Sequence, residues 1–272
     1  MLGSDLVEAL AGHDVTAPSH HELDVTDLEA VTAVVKGMDV VINAAAYTRV
    51  DDAESDETTA TRINGTAAGT VATAARLAGA RVVQLSTDYV FDGRSTVPYD
   101  ERHPIDPVNA YGRSKAAGER AVLAAHPEGS YIVRTAWLYG AHGPNFARTI
   151  LSAASTRQTL GVVNDQRGQP TWTADLAAAI IELLSVDAEP GVYHATNSGE
   201  ASWFDFARAI FEQAGLDPAR IVPTLSSEFA RPAARPSYSV LGHRALDTAG
   251  VSPLRPWQEA LAAASTAGAL RG

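Results

Sequence analysis

The chain of 272 residues has no cysteine. Disulfides, thiolate metal sites and cysteine nucleophiles are therefore excluded. Lysine is almost absent as well: Lys36 and Lys115 stand alone, and arginine carries nearly all the positive charge. Acidic side chains outnumber basic ones 32 to 21, for a formal charge of −11. Nucleic acid and anionic membranes need a basic face, so neither is expected as a partner. A small anionic ligand stays compatible, because a few converging arginines override a diffuse surface charge. No apolar run is long enough to span a bilayer. No basic segment followed by an apolar stretch opens the chain. A cytoplasmic location is expected.

What is present is ordinary for a globular protein, 46% hydrophobic and 19% charged residues. Short β-branched runs alternate with longer Ala-rich runs. That rhythm predicts βαβ units, hence an α/β fold on a doubly wound parallel sheet. Strands are expected at residues 14–17, 39–43, 81–86 and 131–134. Val40-Val41-Ile42 is apolar throughout, as a strand covered on both faces should be. Helices are expected at 28–35, 58–77 (closed by Gly79) and 111–125 (stopped by Pro127). After Gly140 the rhythm loosens into helices at 145–155, 173–184 and 203–214, with strands at 160–163 and 191–195. Prolines 218, 223, 232 and 236 then cluster. The expected division is a dinucleotide-binding domain over 1–140, with 164–188 returning to it, and a smaller α+β substrate domain from 141–163 and 189–272.

The opening Met1-Leu2-Gly3-Ser4-Asp5-Leu6 reads as the start of a helix. In a dinucleotide-binding unit a strand and a Gly-rich turn come before that helix, and its N-terminus faces the pyrophosphate. Here Gly3 is read as the last glycine of the turn; as a lone glycine it equally suits a plain helix start. Without the preceding strand, weakened cofactor binding and stability are expected.

Tyr111-Gly112-Arg113-Ser114-Lys115 places a phenol and an ammonium four residues apart, on one helix face. A phenol with pKa near ~10 exchanges protons poorly at neutral pH. A neighbouring ammonium is expected to lower that value and make a general acid of the pair. The same spacing also suits a surface tyrosine lying on a lysine stem, though lysine is scarce and arginine is not a tunable ammonium. The run from Ser86 through Thr87-Asp88-Tyr89 to Gly93 closes an expected strand, where open α/β sheets bind ligands. It also suits a plain strand-to-turn junction. Residues 43–48, Asn-Ala-Ala-Ala-Tyr-Thr, let a flat group lie against the backbone, or start a helix. Apart from the adjacent pair His20-His21, read as a loop, the eight histidines show no metal-ligand spacing, and no Ser–His–Asp signature is present.

Together these segments resemble the extended short-chain dehydrogenase/reductase superfamily and, within it, the dTDP-4-dehydrorhamnose reductases. The likeness runs along nearly the whole chain. The Tyr-x-x-x-Lys pair is shared widely. Asp88-Tyr89-Val90-Phe91-Asp92-Gly93, Thr135-Ala136-Trp137-Leu138-Tyr139-Gly140 and Asn164-Asp165-Gln166 through Pro170-Thr171 are narrower.

The resemblance implies reduction of the C4 ketone of dTDP-4-dehydro-L-rhamnose. Tyr111 is then the proton donor, Lys115 tunes it and holds the nicotinamide ribose, and Thr87 orients the ketone. Gly3, Asp24, Val25, Ala45, Ala46, Tyr47, Thr48 and Leu85 line the cofactor path with Tyr111 and Lys115. Asp88, Trp137 and Asn145 contact the sugar nucleotide. Arg231 or Arg235 pairs with its diphosphate; solvated loop charges are the other reading of these arginines.

Pro18-Ser19-His20-His21 lacks the acid that selects against a 2′-phosphate, so NADPH is permitted and NADH is compatible. No metal is expected. Some relatives hold magnesium with glutamates at a dimer interface, and Asp5 and Ala174 stand where two of these belong. A homodimer is left open. Two alternatives differ in class: a sugar-nucleotide epimerase or dehydratase, and a non-catalytic regulatory subunit of the methionine adenosyltransferase beta type. Tyr89, where a dehydratase needs a second acid, favours simple reduction. Retention of Thr87, Tyr111 and Lys115 favours catalysis.

Overall fold

The computed structural model describes residues 1–270. Its centre is a four-stranded parallel sheet in the order Val40–Asn43, Arg81–Thr87, Ser130–Thr135, Gly191–His194. The period-2 alternation of the inner strands decides which helices cover which face. Val83, Leu85, Tyr131 and Val133 point to a core completed by the helices Leu2–Ala9 and Thr173–Ser185. Val82 and Ile132 point the other way, onto Val31 and Val35 of Leu28–Val35 and Val71 of Ala67–Ala78. Each such side chain, fully buried, contributes roughly 1.5–3 kcal/mol. The fourth strand, Gly191–His194, joins this sheet although it lies in the span 189–272.

Two expectations are corrected. Residues 14–17 form no strand and have no ladder partner among the described residues; the bridge nearby joins Ala11 to His13. Val15 is 37% exposed. β-branched composition alone does not make a strand, because the ladder needs a partner. The expected single helix over 58–77 is instead three pieces: Glu57–Thr61, a π-helical turn Arg62–Thr66, and Ala67–Ala78. The π turn follows from Asn64, which is tied to two other segments and forces an extra residue into the helix.

A second core lies beyond the end of the sheet. The parallel pair Leu160–Val163 and Ile221–Thr224 packs on the helix Trp203–Gln213, which packs in turn on Trp257–Thr266. Phe206, Ile210, Phe211 and Leu261 fill it. Helices 244–249 and 257–266 were not expected from the sequence. A buried ion pair locks the central helix Ala110–Ala125 to the sheet: Arg134 donates to both carboxylate oxygens of Glu119 at 2.9 and 2.7 Å. Among the described residues, no helix is long and apolar enough to cross a membrane.

Candidate active site

The parallel register Thr87↔Thr135 sets two strand ends side by side. Beyond Thr87 the chain turns into Asp88–Val90, and beyond Thr135 it reaches Trp137. The helix carrying Tyr111 and Lys115 starts against the first of these turns. Asn109 caps it, accepting from Gly112 N–H at 2.7 Å. Gly112 is required by this approach: a Cβ there would fall 2.1 Å from the Tyr89 carbonyl oxygen.

Thr87, Asp88 and Tyr111 meet. Thr87 Oγ1 donates to Asp88 Oδ1 at 2.9 Å and accepts from Tyr89 N–H at 3.2 Å. Its side chain also hydrogen-bonds Tyr111. Tyr89 lies edge-on to Tyr111, with centroids 5.9 Å apart. Asp88 is buried, and its Oδ2 has no partner among the described residues. Burial pushes its carboxyl up to about 6, against hydrogen bonds from Ser239 and Thr87.

The expected lowering of the Tyr111 pKa is not what the geometry gives. Burial, and then the Asp88 carboxylate, push the phenol up to about 12, with the Thr87 hydrogen bond opposing. The i,i+4 spacing was right, but the Lys115 ammonium points to the Leu85 carbonyl, donating at 2.6 Å. Burial holds that ammonium down at about 8, with Glu119 opposing. Tyr111 is thus a protonated donor throughout the neutral range.

Sequence reasoning did not single out the buried amides that tie this centre to residues 43–48. Ala45 N–H donates to Asn43 Oδ1 at 3.2 Å, and Asn43 Nδ2 donates to Gln84 Oε1 at 2.8 Å. Gln84 Nε2 donates to the Leu85 carbonyl that Lys115 also holds, at 2.8 Å. Asn64 accepts from Tyr47 N–H at 2.8 Å and donates to the Tyr47 carbonyl and to Ser114 Oγ at 3.0 and 2.8 Å. Ser114 Oγ in turn donates to the Tyr111 carbonyl at 2.7 Å. Only their burial, invisible in the sequence, distinguishes these amides from loop residues.

Of the other expected cofactor contacts, Gly3 opens the helix Leu2–Ala9 beside Ala44, whose Cβ lies 3.8 Å from the position of a Gly3 Cβ. No side chain caps that helix start. Ala45 and Thr48 are exposed, Ala46 is half-buried and Tyr47 is buried. Val25 packs on the sheet core, whereas the Asp24 carboxylate folds back on Thr26 N–H and Oγ1 at 2.9 and 2.7 Å.

The expected substrate contacts divide. Trp137 is at the strand end, with φ +46°. Asn145 caps its own helix, accepting from Arg148 N–H at 3.1 Å and donating to the Gly140 carbonyl at 2.9 Å. Arg235 is committed to Asp51 by two bonds of 2.7 and 2.9 Å, and it also contacts the Tyr89 hydroxyl. Arg231 reaches Asp51 at 3.3 Å with its side chain 52% exposed. Elsewhere, Asp5, Glu8 and His142 each place one potential ligand atom within 4.8 Å of the others.

The RmlD substrate binding domain family matches residues 1–269. A dTDP-4-keto-6-deoxy-D-glucose reductase of Streptomyces niveus is 48% identical over 265 residues, covering 96% of this chain and 92% of that protein. A dTDP-4-dehydrorhamnose reductase of Streptomyces griseus is 48% identical over 269 residues, covering 96% and 88%. The crystal structure of dTDP-4-dehydrorhamnose reductase from Bacillus anthracis in complex with NADP superposes with a TM-score of 0.94 at 40% identity, over 98% of this chain and 95% of that one. The chain belongs to the RmlD family, the family of the dTDP-4-dehydrorhamnose reductases.

Proposed function

We propose that the chain reduces the C4 ketone of a dTDP-4-keto-6-deoxy sugar, dTDP-4-dehydro-L-rhamnose giving dTDP-L-rhamnose, with NADPH as reductant. The observation that carries this reading is the meeting of Thr87, Asp88 and Tyr111 at the end of a parallel strand, with Lys115 bound beneath through Leu85.

The cofactor half of the site suits a dinucleotide. The uncapped start of Leu2–Ala9 leaves N–H donors for an anion beside the small side chains of Ala44 and Ala45. Gly3, Ala45, Ala46, Tyr47 and Thr48 would hold the dinucleotide, with Leu85, Tyr111 and Lys115 at its nicotinamide end. Val25 and Asp24 would lie near the adenine, with Asp24 Oδ1 bonded to Thr26. When bound, NADPH supplies the hydride that goes to the carbonyl carbon and is left as NADP⁺.

The protein's part is the proton. Thr87 and Tyr111, hydrogen-bonded to each other, would orient the ketone oxygen. Tyr111 keeps its proton at neutral pH and gives it to that oxygen as the alcohol forms. Lys115 supplies the positive charge that stabilises the resulting phenolate. Asp88 and Trp137 contact the sugar, and Arg231, half free, pairs with the diphosphate.

Two lobes fit this division of labour: the large sheet holds the dinucleotide, and the second core carries the sugar side. The acidic surface suits a cytoplasmic enzyme that handles a small nucleotide sugar rather than nucleic acid, and a homodimer is compatible with it.

The test is direct. The protein oxidises NADPH when dTDP-4-dehydrorhamnose is added and not with simple ketones. No oxidation under conditions where the Streptomyces griseus reductase turns over would reject the reading.

A further inference from the structure

Trp137 adopts φ +46°, a left-handed conformation unfavourable for a bulky side chain. Something must hold it there. Its carbonyl accepts from Thr171 N–H at 3.2 Å, which fixes the backbone on one side. Its indole lies flat on that of Trp203, with centroids 3.5 Å apart and planes 6° apart. Gly168 closes on the same ring, since a Cβ there would fall 2.5 Å from Trp137 Cε2.

Trp203 is itself fixed from two directions. It is the first residue of the helix Trp203–Gln213, whose start is set by a reciprocal capping box between Ser202 and Asp205. Phe146 tilts against its ring at 4.5 Å. Both tryptophans stay partly exposed, unlike the core aromatics Phe206 and Phe211, so the stack is a wall as well as a packing contact. That wall stands two residues past Thr135, the register partner of Thr87.

We propose that Trp203 is a positioning residue for the sugar pocket. It clamps Trp137 in its left-handed conformation, so that the indole meets the sugar in a fixed orientation. The proposal rests on the reading of Trp137 as a sugar contact. Trp203 touches no reacting atom; its effect passes through its neighbour.

Two indoles stacked this closely couple their transition dipoles, and the resulting exciton couplet in the far-ultraviolet circular dichroism reports the stack without any ligand. Trp203→Leu removes the couplet and raises KM for the dTDP-sugar by about tenfold, the scale on which small misplacements of a contact act. KM for NADPH stays within about twofold, because the cofactor loop is untouched. Trp203→Phe, which retains a flat ring, brings the sugar KM most of the way back. A merely structural role predicts lower thermal stability with no split between the two KM values.

Loss of the couplet with an unchanged sugar KM overturns the positioning role while leaving Trp137 as a contact. An unchanged sugar KM in Trp137→Leu removes the underlying reading, and the proposal with it. Should Trp203→Leu not fold, Gly168→Ala presses on the same indole and must give the same split; equal rises in both KM values overturn the proposal.

Discussion

Arg235 grips Asp51 with two parallel bonds, 2.7 and 2.9 Å long, joining the segment that follows the Ala44–Ala46 turn to the loop that carries Arg231. Arg235 also touches the Tyr89 hydroxyl, and Tyr89 stands edge-on to Tyr111. The clasp therefore links the segment after residues 44–46, the late loop and, through Tyr89, Tyr111. Arg231 shares Asp51 only at 3.3 Å, with its side chain 52% exposed.

This clasp gives a stability signature. The Arg235 hydrogen bonds hold the Asp51 carboxyl at about 2, well below its ordinary 3.8. A depressed carboxyl stabilises the fold fully above its unfolded value and loses that contribution as pH falls through the folded one. Asp51→Asn should cost about 1–2 kcal/mol at pH 7. Urea midpoints of the two proteins are expected to stay equally far apart down to about pH 4 and to converge below it. A gap that is constant down to about pH 2 would show that the charge of Asp51 is not what matters.

Lys115 gives a pH signature in turnover. Its ammonium, held down at about 8, loses its proton as pH rises through that value. If the charge stabilises the Tyr111 phenolate, kcat falls on the alkaline side with an apparent pKa near 8. Initial rates at saturating substrate across the range test this, and a profile flat to about pH 9.5 contradicts it.

The Glu119–Arg134 pair is structural. Both side chains are buried, and Glu119→Leu deprives the guanidinium of its ion-pair partner. Such a loss costs about 3–5 kcal/mol. Chemical denaturation should find the double variant Glu119→Leu/Arg134→Met less damaged than the single one. Additive losses would mean that the two groups do not act as a pair.

Asn64 should matter to the cofactor more than to the sugar. Asn64→Leu unpairs both the N–H and the carbonyl of Tyr47 and removes the bond to Ser114 Oγ. Each stranded backbone group costs about 1–3 kcal/mol, so the loop over residues 45–48 should loosen. Titration of NADPH fluorescence is expected to show weaker binding by about tenfold or more. Unchanged affinity would detach Asn64 from the cofactor side.

The parts legible in the sequence were those written in local pattern. Val40-Val41-Ile42 announced a buried strand because no polar residue interrupts it. Tyr111 and Lys115 announced a shared helix face because their spacing is helical. Long-range partners carried what was not legible. Residues 14–17 have strand composition but no ladder partner among the described residues. The π turn at Arg62–Thr66 exists because Asn64 is bonded across to Tyr47 and Ser114. Spacing puts Lys115 beside Tyr111 but carries neither the turn of its ammonium to the Leu85 carbonyl nor the burial that raises the Tyr111 phenol. Trp203 looked like any aromatic opening a helix; only the stack on Trp137 gives it a role.

The central claim is that Tyr111 gives the proton to the ketone oxygen. Tyr111→Phe deletes one hydroxyl and leaves the ring, Thr87 and Lys115 in place. The decisive measurement is NADPH oxidation by wild type and variant with saturating dTDP-4-dehydrorhamnose, paired with NADPH affinity. The account predicts a fall in kcat of about 10²–10⁴-fold, with NADPH affinity changed less than about twofold. A Tyr111→Phe protein that keeps the wild-type rate would contradict it.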